Sequence, residues 1–212
     1  MNDCVSIVIP TYNRANDLIN AINSVLDQSY PYWEMLIVDN HSDDNTRHVV
    51  KNINDDRIKF FEIHNEGVIA ASRNLGIKQA NGKYIAFLDS DDTWEMDKLE
   101  KSVYWLNNGY DIVYHDMKIV SNNIFYFGPR KFKTRILHQP IFNDLLVNGN
   151  TLPTSSVIVE KGMLLKAGGF NETIEYVAGE DYSLWIRLSE MTQRFKKVEG
   201  VLGNLSKGND NQ

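Results

Sequence analysis

Four short apolar runs alternate with three stretches of helical periodicity before residue 92, and this rhythm limits the folds open to the chain. Residues 5–9, 33–38, 58–63 and 84–88 have the length and apolar content of buried strands. Between the first two, residues 15–27 place Leu18, Ile19, Ile22, Val25 and Leu26 on one helical stripe. Ser42-Asp43-Asp44 is a helix-start signal for a segment running through Val49 and Val50. Residues 67–79 read as a third helix, with Gly82 after its end. Such alternation predicts βαβ units, a parallel sheet and an α/β class. At 212 residues a single domain with a substantial core is expected.

The fourth run ends abruptly in Asp89-Ser90-Asp91-Asp92. Carboxyl ends of strands in open α/β sheets are where ligands bind. Asp89 and Asp91 are one residue apart, so a turn can bring them to one point, where their charges repel unless a cation or proton intervenes. Hard divalent cations favour such oxygen donors. The site thus reads either as a metal facing a phosphorylated substrate or as a capped turn, with Asp92 the N-cap of a helix starting at Thr93-Trp94. The other strand ends carry Tyr12, which can stack on a base or pack the turn, and Asp39, which can accept from a base N–H or cap its loop. Arg73 in the third helix suits a diphosphate, because guanidinium grips phosphate oxygens in a fork, or is a surface cation.

After Asp92 the rhythm changes. Met96, Leu99, Val103 and Leu106 mark a helix; residues 111–120 and 124–127 suggest a hairpin about Ser121-Asn122-Asn123. Residues 140–147 predict a short helix, 155–159 a strand, and 164–167 the end of a helix capped by Gly168-Gly169. Residues 180–191 form an amphipathic helix opened by Glu180-Asp181, and 194–202 a last extended piece; the polar tail 206–212 is expected to fray. Acids at a helix start can serve the dipole or hold a general base on a rigid element.

Composition excludes several classes. A net charge of -6 argues against a general nucleic-acid binder. The single Cys4 permits neither an intrachain disulfide nor a thiolate cluster, and the five histidines lack zinc spacing. No 18-residue apolar span and no signal peptide are read. G-x-x-x-x-G-K-[ST] and G-x-G-x-x-G loops are absent, which disfavours P-loop enzymes and common dehydrogenases.

Taken in order, P-T-Y-N-R, V-D-N-H-S-D-D, A-A-S-R-N-L-G, A-N-G-K-Y-I-A-F-L-D-S-D-D, G-G-F-N-E and G-E-D-Y-S-L-W-I-R-L resemble the inverting glycosyltransferases of family 2, from about Val5 to Asn211. The resemblance implies a GT-A fold: a Rossmann-like, mixed, mostly parallel sheet flanked by helices. It divides into a nucleotide-sugar half (1–92), an acceptor half (93–205) and a tail (206–212). It also implies a nucleotide-sugar donor, with UDP preferred, Mn²⁺ or Mg²⁺ as cofactor, and a saccharide or lipid-linked saccharide acceptor. Carried over, Pro10, Thr11, Tyr12 and Arg14 cradle the nucleotide, Asp39 binds the base and Arg73 approaches the base or diphosphate. Asp89 lies near the ribose, Ser90 joins the nucleotide-sugar-binding set, Asp91 with Asp89 holds the metal, Asp181 is the base, and Glu180 and Trp185 stand on the acceptor side. Two departures are visible. Asn40-His41 replaces the usual Asp-Gly where positive φ is often needed, and relatives usually continue past the last segment. The Q-x-x-R-W motif and membrane helices of processive synthases are absent, which points to transfer of one sugar. The resemblance implies cytoplasmic action and leaves open peripheral association with the inner membrane face. A sugar-1-phosphate nucleotidyltransferase is the rival enzyme, although P-T-Y-N-R is not its Gly-rich basic loop; a non-catalytic nucleotide- or carbohydrate-binding module is the rival outside enzymes.

Overall fold

A computed structural model describes residues 3–121, 130–173, 175 and 179–207. The first half runs β1 (Val5–Thr11), α1 (Ala15–Leu26), β2 (Trp33–Asp39), α2 (Thr46–Lys51), β3 (Ile58–Glu62), α3 (Ile69–Gln79) and β4 (Tyr84–Phe87). The second runs β5 (Thr93–Trp94), α4 (Lys98–Asn107), β6 (Ile112–Ser121), β7 (Arg130–Phe132), α5 (Ile141–Asn148), β8 (Ile158–Glu160), α6 (Lys161–Lys166), α7 (Glu180–Met191) and β9 (Phe195–Lys207). The described strands form one sheet in the order β3-β2-β1-β4-β8-β6-β9-β5, with β7 added to β6. β1 to β4 are mutually parallel where they pair, as the alternation predicted. β8 is antiparallel to both β4 and β6, and β5 is antiparallel to β9, so the sheet is mixed.

Helices cover both faces, which is why β1 and β2 are buried along their whole length rather than alternating. Ile7 and Ile9 join the layer containing Leu18 and Ile22 of α1 and Leu99 and Val103 of α4. Val8 points the other way, into the layer of Ala70, Phe87, Leu184 and Trp185. Gly76 lets α3 approach β1: a Cβ there would lie 2.4 Å from Val8 Cγ1.

At the opposite edge from the strand ends, Glu34 joins three elements. It accepts from Ser6 Oγ (2.6 Å), Asn81 N–H (2.5 Å) and Lys59 Nζ (2.7 Å). Burial alone would raise its pKa, but these donors outweigh it and hold the carboxyl at about 2. A depressed carboxyl stabilises the fold above its ordinary range and loses that contribution as pH falls towards 2. Glu34→Gln is therefore expected to cost roughly 1.5–3 kcal/mol at neutral pH, with the gap to the parent closing below about pH 4 in urea titrations.

Several sequence expectations are corrected. Thr93-Trp94 opens no helix: it pairs with Asn204 and Gly203 of β9, and Asp92 is a buried acceptor for Ser155 Oγ (2.5 Å) and Ser206 N–H (2.9 Å). Helix α4 starts only at Lys98, leaving Met96 outside it and exposed. Besides β8, β6 pairs antiparallel with β7 at Arg130–Phe132; the strand expected at 124–127 lies outside the described residues. Thr154–Ser156 is a 3₁₀ turn, so β8 begins later than expected. Ser206 and Lys207 extend β9 rather than fraying, because that strand continues to pair with β6; the rest of the expected tail, 208–212, lies outside the described residues.

Candidate active site

The carboxyl ends of β1, β2 and β4 frame a groove of about 720 Å³, lined by residues that include Pro10, Thr11, Tyr12, Arg14, Asp89, Ser90 and Asp91. Five of the predicted donor-side positions thus stand together with both carboxylates, as parallel strands require. Tyr12 is 52% exposed and offers a free ring face. Thr11 is buried, and its Oγ1 has no hydrogen-bond partner among the described residues. Asn40 and Asn65 also line the groove and were not anticipated; Asn65 N–H donates to Asn40 Oδ1 at 2.9 Å, joining the loops after β2 and β3.

Asp39 is not open to the groove. Buried, it accepts from Ser42 N–H (3.1 Å) and Ser42 Oγ (2.5 Å) and so caps the turn after β2. In that turn His41 adopts φ 53°, the conformation the sequence made questionable, and its ring stacks on His64 with centroids 3.6 Å apart. Asp44 ties the turn to α1 by accepting from Ala15 N–H at 2.9 Å.

The two groove carboxylates face different cations. Arg14 Nη1 lies 3.0 Å from Asp91 Oδ2. Burial pushes the Asp91 pKa up, with Arg14 opposing and Asp89 reinforcing. Asp89 accepts from Arg73 Nη2 at 2.7 Å. Arg73 is 3% exposed and reaches the groove through Asp89. Its other fork, Nη1, donates to Glu180 Oε1 at 2.7 Å. Burial alone would lower the Arg73 pKa, but the two carboxylates raise it, so the guanidinium stays charged. Nε of Arg73 and Oε2 of Glu180 remain without partners among the described residues.

Next to Glu180, Asp181 accepts from Tyr182 N–H (2.5 Å), Thr154 Oγ1 (3.1 Å) and Asn150 Nδ2 (3.3 Å). Burial raises its pKa against these donors. Trp185 is fully buried and anchors α7 in the core, donating from Nε1 to Leu152 O at 3.2 Å. Asn74, beside Arg73, explains two motifs at once. Its side chain donates to Phe170 O (2.9 Å) and accepts from Phe170 N–H (2.8 Å), and a Cβ on Gly169 (φ 71°) would sit 2.5 Å from Asn74 Oδ1. Ser155 donates to Asp92 and accepts from Asp89 N–H at 3.0 Å, fixing the acidic turn. Asn150, Thr154 and Ser155 were missed; their only sequence signal is a polar run about Pro153, between two apolar elements.

Among the described residues no group of three His, Cys, Asp or Glu side chains is gathered around a single cation position. Asp89 and Asp91 both line the groove, and Asp91 is paired there with Arg14.

The profile of the family described as Glycosyl transferase family 2 matches residues 6–185. The chain belongs to that family. As a member of glycosyl transferase family 2, it is 34% identical over 188 residues to the Escherichia coli UDP-Glc:alpha-D-GlcNAc-diphosphoundecaprenol beta-1,3-glucosyltransferase WfgD, covering 87% of this chain and 69% of that protein. It is 42% identical over 104 residues to the putative teichuronic acid biosynthesis glycosyltransferase TuaG of Bacillus subtilis, covering 48% of this chain but 41% of TuaG. The fold matches S. aureus TarS 1-349, solved in complex with UDP-GlcNAc, with a TM-score of 0.77 and 23% identity over 98% of this chain and 59% of TarS 1-349. A Pyrobaculum calidifontis mannosyltransferase, PcManGT, in complex with GDP-Man and Mn2+, gives a TM-score of 0.72 at 19% identity over 98% of this chain and 58% of that one. The chain is thus shorter than the relatives it matches. These likenesses make the α/β sheet a GT-A glycosyltransferase fold.

Proposed function

We propose that this family 2 member transfers one sugar from a uridine diphosphate sugar to a hydroxyl of a lipid-linked saccharide, with inversion at the anomeric carbon. One observation carries the reading. A buried Arg73 joins Asp89, at the donor groove, to Glu180, the immediate neighbour of Asp181. Donor site and candidate base are thereby one rigid constellation.

On this reading Tyr12 stacks on the base and Ser90 and Asp89 lie beside the ribose. Asp39 accepts the N3–H of uracil only where Ser42 yields its place. Asp91, with Asp89, would hold Mn²⁺ or Mg²⁺, and such an ion neutralises charge on the departing diphosphate. Asp181 takes the acceptor proton as the hydroxyl oxygen attacks the anomeric carbon from the face opposite the leaving group. WfgD, whose name gives a UDP sugar and a diphosphoundecaprenol-linked acceptor, supports the donor and acceptor classes. The lipid-linked acceptor named for WfgD is the reason to place the chain peripherally, at the cytoplasmic face of a membrane.

Calorimetry with uridine, guanosine and thymidine diphosphate sugars, each with Mn²⁺ or Mg²⁺, tests the proposal. The expected result is metal-dependent binding of a uridine diphosphate sugar and its loss in Asp91→Ala, with the thermal transition retained. Binding of only a guanosine diphosphate sugar, or undiminished binding by Asp91→Ala, overturns the donor assignment.

A further inference from the structure

The β6–β7 ribbon carries a charge unlike the rest of the chain. The net charge is -6, yet between Asp116 and Asp144 there are five Lys or Arg residues and no acidic one. Lys118 and Lys131 are direct cross-strand partners. Lys133 follows Lys131 by two, the spacing that keeps an extended chain on one face. All three are exposed. The nearest acids in sequence are already engaged: Asp116 by Lys197 Nζ at 2.8 Å, and Asp144 by Arg135 Nη2 at 2.8 Å.

Like charges directly opposite each other destabilise a β pair. Lysines on an edge strand deter pairing with other chains, and β7 is such an edge. Lys118 falls outside that explanation, because β6 is internal there, paired with β7 on one side and with Asn204 of β9 on the other. Apolar side chains accompany the lysines: Val120 shares their face and is 40% exposed, Ile136, just after Lys133 in the chain, is 66% exposed, and Phe132, opposite the buried Met117, belongs to the other face. Cations mixed with exposed apolar groups fit an anionic bilayer surface, where the charges meet headgroups and the apolar groups enter the interface.

The ribbon also stands at the right edge. β4 and β6 are each antiparallel to β8, so β6 runs towards the sheet edge that holds Asp89 and Asp91. Its base joins the acceptor side: Arg135 N–H donates to Thr151 Oγ1 at 2.8 Å, and the adjacent Asn150 reaches Asp181.

We infer that the β6–β7 ribbon docks the protein on an anionic lipid bilayer and so brings the carboxyl edge of the sheet to acceptors held there. This extends the lipid-linked reading of the acceptor, but docking itself requires neither donor nor transfer. The test is co-sedimentation with phosphatidylcholine vesicles, with and without phosphatidylglycerol. The protein should bind the anionic vesicles, release them at about 1 M salt, where screening is nearly complete, and ignore pure phosphatidylcholine. The combined variant Lys118→Gln, Lys131→Gln, Lys133→Gln should lose roughly a hundredfold in partitioning. A control with Lys51, Lys78 and Lys166 changed to Gln has the same net charge and should keep most of the binding. Failure of the parent to bind, equal binding by the ribbon variant, or equal loss in the control each overturns the inference. So does binding to RNA oligonucleotides in place of vesicles. Calorimetric donor binding, measured on the same samples, separates the two readings: vesicle binding without donor binding removes the proposed function, and the converse removes the ribbon.

Discussion

Exchanging Asp181 for Asn is expected to lower kcat by ~10²–10⁴-fold while donor affinity changes little, since that is what a positioned general base typically supplies. Asparagine keeps the shape: its single Oδ1 can still accept from Tyr182 N–H while its Nδ2 donates to the Thr154 hydroxyl, so the loss reports the missing base rather than a displaced loop. Asp181 is the second residue of α7, where the helix dipole favours the ionised form the reaction needs. Burial works in the opposite direction and prevails, raising the pKa. The sign for the rate follows. The active species is the carboxylate, so kcat falls as pH drops through a value above the ordinary aspartate range, and the acid limb lies higher than a free carboxyl would place it. The Asn variant should lose that limb as well as the rate. Steady-state kinetics against pH, with a lipid-linked saccharide acceptor, is the measurement. Near-normal transfer by Asp181→Asn together with an inactive Glu180→Gln would assign the proton to Glu180 instead.

Much of this arrangement is legible in the residues alone, and the remainder divides by physical cause. Strands β1, β2 and β4 are visible because both faces are buried, which forces continuous apolar runs, whereas the edge strand β3 is only half-buried; their order places Tyr12, Asp89 and Asp91 on one edge. The direction of Arg73 was also present in the pattern. It stands three residues after Ala70 and four before Ile77, both buried, so it lies on the inward stripe of α3. Arginine type argues for phosphate and position for the interior, and the guanidinium is buried between Asp89 and Glu180. Trp185 obeys the same rule between Leu184 and Leu188. What the pattern could not contain is long-range pairing. Thr93-Trp94 becomes a strand because Gly203 allows β9 to approach Thr93 O, where a Cβ on residue 203 would sit 2.9 Å away. Ser155 acts on Asp89 and Asp92 from more than sixty residues away, and no local spacing announces it.

Arg73→Leu is expected to destabilise the protein by ~3–5 kcal/mol, because it strands two carboxylates that the guanidinium compensates. Glu180 is the more costly of the two: its side chain is 9% exposed, whereas Asp89 is 32% exposed and water can partly replace its partner. Lysine is no substitute. A single ammonium on a flexible stem can satisfy Asp89 or Glu180 but does not reproduce the fork that spans them, so Arg73→Lys should lie between parent and Leu. Removing the stranded charge should recover stability: Arg73→Leu with Glu180→Gln is expected to be more stable than Arg73→Leu alone. Activity should not return with it, since nothing then ties the first turn of α7 to the acidic turn after β4. Urea unfolding of the three variants, paired with kcat, separates the two roles. If Arg73→Leu costs less than about 1 kcal/mol, the pair is solvated and the constellation is not rigid. If the double variant recovers both stability and kcat, Arg73 is a structural ion-pair partner and does not position Asp181.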